Sequence, residues 1–200
     1  MRHFPYGETE IKYLKQKDEK LACAIEHIGM IEREITPDPF EALISSIVSQ
    51  QISKKAAQTV WNRLQGLVGP VYPQNILAAD EEAIQQCGMS ARKAGYIRGI
   101  AEAANSGRID FAGLDKLSDA EIIRSLSALR GVGVWTVEML LIFSLARPNI
   151  VSFNDLAIRR GMMNLYGLTQ LSRDEFEHYR ARYSPYGSVA SLYLWELSAQ

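Results

Sequence analysis

Apolar residues recur along this chain every third or fourth position, the spacing of helices with one buried face. Phe40, Leu43, Ile44, Ile47 and Val48 fall at i, i+3, i+4, i+7 and i+8, directly after the stretch TPDPFE. There Asp38 has the chemistry of a cap, Pro39 suits the first helical position and Glu41 stands where a capping-box acid belongs. The next turn, SQQIS, offers Ser53 as the cap of a second helix carrying Ala56, Ala57, Val60, Trp61 and Leu64. Ser90 caps a third, with Ala94, Ile97, Ala101 and Ala104 on one face and Gly107 as its stop. A capping box of Ser118 and Glu121 precedes Ile122, Ile123, Leu126 and Leu129. Further helices are predicted over about 156–166, 173–182 and 188–198. The alternation of strands is nearly absent, so the predicted class is all-α. No internal repeat is present, and the joints fall at EITPDP and LARPNIVSFND.

One interruption stands out. In ALRGVGVWTVEMLLIF a helix ends near Leu129, RGVG turns, and a new helix begins near Val134. Glycine there permits unusual φ and removes side-chain bulk. Backbone amides at the following helix start lack intrahelical acceptors and sit at the positive end of the dipole, which suits an anion. Two readings stay open on these residues: an ordinary αα-hairpin, or a grip for a phosphate.

Composition narrows the partners. The longest apolar stretch, Met139 to Ala146, is far short of the roughly 20 residues a membrane-spanning helix needs. The N-terminus shows no secretory pattern, so an intracellular, cytoplasmic protein is expected. Cys23 and Cys87 are the two cysteines, and His3, His27 and His178 are scattered, which argues against a disulfide framework and a side-chain zinc site. The chain has a net charge of −1, yet residues 122–173 hold six arginines against Glu138 and Asp155, a local +4. Such asymmetry suits a lobe that faces a polyanion.

Hydrophobic-x-Gly-hydrophobic-Gly between two amphipathic helices resembles the helix-hairpin-helix motif of DNA-binding proteins. With WTVEML after it and VSFNDLAIRRG further on, the chain resembles the helix-hairpin-helix (HhH-GPD) superfamily of base-excision DNA glycosylases. It is most similar to the alkyladenine (3-methyladenine type II) branch, from DPFEALISSIVSQQIS to YSPYGSVASLYLWEL. The resemblance implies two helical lobes with a DNA-binding cleft between them: a central bundle, residues 38–147, carrying the hairpin, and a second lobe from residues 1–37 and 148–200. It also implies a monomer acting on double-stranded DNA that contains a damaged base, with no obligate protein partner. The implied reaction is hydrolysis of the N-glycosidic bond of an alkylated purine, leaving an abasic site.

Asp155 is the only acidic residue between Glu138 and Asp174. An aspartate there can cap the next helix, or leave that task to Ser152 or Asn154 and face the substrate. Its place matches the family's catalytic aspartate, and the chemistry calls for one. Cleaving the bond builds positive charge on the sugar, which a fixed carboxylate stabilises while it orients water. The family's strand-cleaving members use a lysine where this chain has Trp135, and the last lysine here is Lys116. The resemblance thus implies a monofunctional enzyme. It places Trp135, Tyr183, Met139 and Leu156 in the base pocket and Gln51 as the wedge that fills the vacated stack. Arg130, Gly131, Val132 and Gly133 form the phosphate-binding hairpin. No cofactor is required: Na+ or K+ on the backbone of Leu129, Arg130 and Val132 is the one ion implied, and the cysteines do not suit an iron–sulfur cluster. The alternatives are a non-catalytic helix-hairpin-helix DNA-binding protein and a glycosylase for hypoxanthine, ethenoadenine or oxidised guanine.

Overall fold

The computed structural model describes residues 2–199. Among these the chain forms α1 (Glu8–Lys17), α2 (Glu19–Ile28), α3 (Pro39–Ser49), α4 (Lys54–Val68), α5 (Pro73–Ala78), α6 (Glu81–Gln86) and α7 (Ala91–Asn105). Then come α8 (Asp119–Ser127), α9 (Val134–Phe143), α10 (Leu156–Tyr166), α11 (Arg173–Tyr183) and α12 (Gly187–Leu197). A two-residue antiparallel pair, β1 (Arg2–His3) and β2 (Glu34–Ile35), is the sheet content of the described residues. None of these helices is long and apolar enough to cross a membrane.

The chain divides into two compact units, Thr36–Leu140 and the two chain ends, up to Ile35 and from Leu141 onward. In the first, the start signals act as their chemistry requires. Asp38 accepts the Glu41 amide at 2.8 Å, and α3 buries Phe40, Leu43, Ile44, Ile47 and Val48. Ser53, Ser90 and Ser118 cap α4, α7 and α8 in turn. Helix α7 departs from its expected single face. Ile100 and Ala103 join Ala94, Ile97 and Ala101 in the core while Ala104 is half-buried, because α3 packs on one side of α7 and α5 and α6 on another. The six-residue α5 and α6 escape a periodicity test, which needs more turns than they have.

The second unit is built around α12, whose residues from Gly187 to Leu194 are all buried. Helix α10 lies against it so closely that a Cβ on Gly161 would stand 2.7 Å from the Leu194 carbonyl carbon and nearer still to its oxygen. The later boundary between the units falls at 140/141, inside α9, rather than at 147/148 as expected, and the earlier one at 35/36 rather than 37/38. The cause of the larger shift is visible at the end of α9: Phe143 packs on Trp195 of α12 with ring centroids 5.4 Å apart.

Candidate nucleic-acid interface and active-site carboxylate

The hairpin is shaped by one glycine and opened by another. After α8 the Leu129 amide donates to Leu126 O at 3.0 Å and the Val132 amide to Leu129 O at 3.2 Å, which closes the turn. Gly131 takes φ +86°, and a Cβ there would lie 2.6 Å from Cγ of Tyr96 and closer to Cδ2. Any side chain is thus excluded twice, by conformation and by the aromatic ring beneath it. A Cβ on Gly133 would meet nothing within 4 Å, so that glycine leaves the backbone open to an approaching group. The first intrahelical bond of α9 runs from the Val137 amide to Gly133 O at 3.2 Å. Amides ahead of it, at Gly133 and Val134, lie at the exposed positive end of the helix. Of the four residues expected to contact phosphate, Val132 is the exception as a donor: its amide is used within the turn and its side chain is buried. Arg130 is exposed.

In the same unit, the end of α3 meets the start of α9. Ser46, Ser49, Gln50, Gln51, Trp135, Thr136 and Met139 line a cavity of about 330 Å³. Trp135 is 44% exposed and forms part of its wall. The fold therefore brings together three residues singled out from the sequence: Gln51, Trp135 and Met139. Gln51 is exposed at the junction between α3 and α4 and holds φ +60°, a left-handed conformation rare for a side chain of its kind. Gln50 and Lys93 belong to no sequence motif, yet Gln50 Nε2 donates to Gly131 O at 3.1 Å and Lys93 Nζ to Val48 O at 2.9 Å.

The carboxylate belongs to the other unit. A run of bonds laces the segment before it onto α12: the Ile150 amide donates to Ser188 Oγ at 2.9 Å, Ser191 Oγ to Ile150 O at 2.9 Å, and the Ser188 amide to Pro148 O at 2.9 Å. Two serines at i and i+3 within the apolar run of residues 187–194 are the signal for this lacing. Asp155 then heads α10, 7% exposed, with Oδ1 accepting the Ala157 and Ile158 amides at 2.9 Å each. The cap of α10 is thus Asp155 itself, and not Ser152 or Asn154. Only the aspartate has the extended backbone directly before the first helical residue that lets its oxygen reach both amides. Phe153, two residues earlier, carries the guanidinium groups of Arg159 and Arg173 at 4.8 and 4.6 Å from its ring centre.

Two expected pocket residues belong to this same unit. Tyr183 is fully buried, its hydroxyl 2.8 Å from that of Tyr166, which in turn donates to Asp18 Oδ2 at 2.6 Å. Burial raises the pKa of both phenols. The side chain is thus a member of a core network, and corrects its assignment to the wall of a pocket. Leu156, the first residue of α10, is 71% exposed.

A helical chain with a glycine turn that presents amides, and with a capped aspartate heading a later helix, has the build of a helix-hairpin-helix DNA-binding protein. Residues 44–185 match the model of the HhH-GPD superfamily base excision DNA repair proteins, and the chain belongs to that family. It is 37% identical over 167 residues to DNA-3-methyladenine glycosylase 1 of Schizosaccharomyces pombe, a match covering 80% of this chain and 73% of the relative. Among solved structures it is similar to a DNA-3-methyladenine glycosidase from Bacillus halodurans, with TM-score 0.89 and 37% identity, covering 100% of this chain and 94% of the other. It is similar also to the Schizosaccharomyces pombe 3-methyladenine DNA glycosylase in complex with abasic DNA, with TM-score 0.84 and 32% identity over 96% and 98% of the two chains.

Proposed function

We propose that this protein is a monofunctional DNA glycosylase of base-excision repair that hydrolyses the N-glycosidic bond of alkylated purines of the 3-methyladenine type. The observation that carries this reading is the joint presence of the open glycine hairpin and the anchored carboxylate of Asp155 in a chain of this family. Exposed amides of the hairpin, with Arg130, take a strand phosphate, and Gln51 fills the stack that the damaged nucleotide leaves. Trp135 offers its ring to the everted base. A ring-alkylated purine is cationic, so an electron-rich indole attracts it and the base departs without a dedicated acid.

Asp155 stands against the developing positive charge of the sugar and orients the attacking water, which adds at C1′ as the base leaves. The cap geometry serves this role, since the amides of Ala157 and Ile158 hold the carboxylate in place. Trp135 stands where strand-cleaving members of the family carry their lysine, and no lysine follows Lys116; the product in this reading is an abasic site without strand scission. A monovalent cation, Na+ or K+, fits the hard backbone oxygens of Leu129, Arg130 and Val132, and when bound offsets phosphate charge. The Leu129 oxygen already accepts one amide and retains a second lone pair. The enzyme acts as a monomer in the cytoplasm.

The test is single-turnover release of base from a duplex with one 3-methyladenine, by wild type and Asp155→Asn, beside duplexes with hypoxanthine, ethenoadenine and oxidised guanine. Wild type releases the alkylated base and forms no adduct on borohydride reduction, and the variant is slower by at least about a hundredfold. Equal release by both proteins rejects the role of Asp155, and binding with no release from any lesion leaves a DNA-binding module.

A further inference from the structure

The hairpin and the wedge junction are joined by side chains that neither task requires. Helix α3 ends at Ser49, and its last carbonyls have no intrahelical donors. Lys93 serves one of them and the cap residue beyond: its Nζ donates to Val48 O at 2.9 Å and to Gln50 O at 2.5 Å. A cation at the negative end of a helix is favourable, and two carbonyls hold the ammonium although burial lowers its pKa. Gln50 then reaches across to donate to Gly131 O at 3.1 Å. On α7, Tyr96 stands three residues beyond Lys93, on the same helical face, and its ring is the floor beneath Gly131. One face of α7 thus supports both the turn that grips phosphate and the junction that holds Gln51 in its left-handed conformation, and Gln50 ties the two together.

We propose that Lys93 and Gln50 are positioning residues that couple the phosphate-gripping turn to the Gln51 junction, so that gripping the strand fixes the wedge at the height of the vacated base. This rests on the reading of Gln51 and the hairpin given above. Neither residue touches the reacting atoms. A shift of the Gly131 carbonyl on DNA contact moves the Gln50 side chain, and through its backbone the residue next to it. Without the bonds of Lys93 the end of α3 is free to fray, and Gln51 loses its fixed direction while the hairpin keeps its amides.

The experiment uses the full chain and the variants Lys93→Met, Lys93→Arg and Gln50→Ala, with thermal melting to confirm folding. Two quantities are read. One is affinity for a duplex with a stable abasic analogue, where no base has to leave the stack. The other is the fluorescence of 2-aminopurine at the target position of an intact duplex under saturating protein, which reports unstacking. Lys93→Met and Gln50→Ala bind the abasic duplex within about threefold of wild type but lose about tenfold or more of the unstacking equilibrium. Lys93→Arg, which keeps charge and donors, recovers most of it. Parallel loss on both duplexes, or no loss on the intact one, overturns the coupling. Gln50→Ala leaves the α3 carbonyls to Lys93 and carries the test alone if Lys93→Met does not fold. Base release is not a readout, so a wild type that unstacks 2-aminopurine yet frees no alkylated base strikes the proposed activity and leaves the coupling standing.

Discussion

The two glycines of the hairpin should respond in opposite ways to the same added methyl group. Gly131→Ala places a Cβ at φ +86° and 2.6–2.7 Å from Cγ and Cε2 of Tyr96. The left-handed conformation costs an L-residue about 1–2 kcal/mol, and forcing a methyl against a packed ring adds about 1–3 kcal/mol. Cγ is among the obstructing atoms, so turning the ring about its Cβ–Cγ bond does not clear the methyl and the χ1 rotamer itself must change. A total near 2–5 kcal/mol follows, or a melting temperature lower by about 4–20 °C for a chain of this size. Gly133→Ala adds a methyl to open space at ordinary φ and costs about 1 kcal/mol or less in folding. That methyl nevertheless stands where a strand phosphate would approach the amides, so duplex affinity falls although the fold does not suffer. Thermal unfolding and fluorescence anisotropy with undamaged duplex separate the two effects. A Tyr96→Ala background supplies the control, because there Gly131→Ala retains only its conformational penalty of about 1–2 kcal/mol. Equal penalties in both backgrounds would refute the crowding, and wild-type affinity in Gly133→Ala would refute the approach of DNA to this turn.

Other outcomes follow from the second unit and from the caps. Tyr183→Phe deletes one hydroxyl from the Asp18, Tyr166 and Tyr183 network; stability falls by about 1 kcal/mol while the single-turnover rate of base release stays at the wild-type value, whereas a pocket role would lower that rate. Glu121 and Glu175 have pKa values lowered by their hydrogen bonds to Ser118 and Ser172 in the capping boxes of α8 and α11. Their contribution is complete above the ordinary glutamate value and is lost as pH falls through the lowered folded value. The double variant Glu121→Gln and Glu175→Gln should accordingly lose less stability than wild type between about pH 6 and about pH 3, measured by urea unfolding; an unchanged difference would count against the boxes.

Caps and single-faced helices were legible because their signals are local. Asp38, Ser53, Ser90 and Ser118 each precede their helix by one residue, and each has its oxygen on the amide three residues on. The hairpin was legible for the same reason, since its glycines answer to φ and to bulk within four residues. Asp155 was found by scarcity, as the lone acid in an arginine-rich stretch, yet its hydrogen bonds could not be assigned among three polar neighbours. What lay beyond reading was whatever depends on distant partners. Tyr183 is an aromatic in a polar string, and only the fold brings Tyr166 against Asp18, 148 residues away in sequence, to enclose its hydroxyl. The partners of Lys93, Val48 and Gln50, lie 45 and 43 residues earlier. Trp135 and Met139 share a helix with spacing i and i+4, so their common wall could be anticipated, whereas the approach of Gln51 to that wall could not.

The cap at Asp155 bears most on mechanism, because capping and catalysis look at first like rival uses of one side chain. They make different demands. A cap needs an oxygen that accepts, while stabilising a sugar cation needs a negative charge held still. Oδ1 meets the first demand with two amides at 2.9 Å, and that same bonding supplies the immobility the second requires. Substitution separates them. Asp155→Asn keeps a carbonyl oxygen for Ala157 and Ile158, so α10 stays capped and stability changes by less than about 1 kcal/mol, while the charge is gone. Asp155→Ala removes both and lowers stability by about 0.5–2 kcal/mol. Melting therefore ranks wild type and Asn together above Ala, whereas base release ranks wild type above Asn and Ala together. A single order in both assays would mean that the carboxylate only holds the helix, and the chemistry would have to be sought at another group.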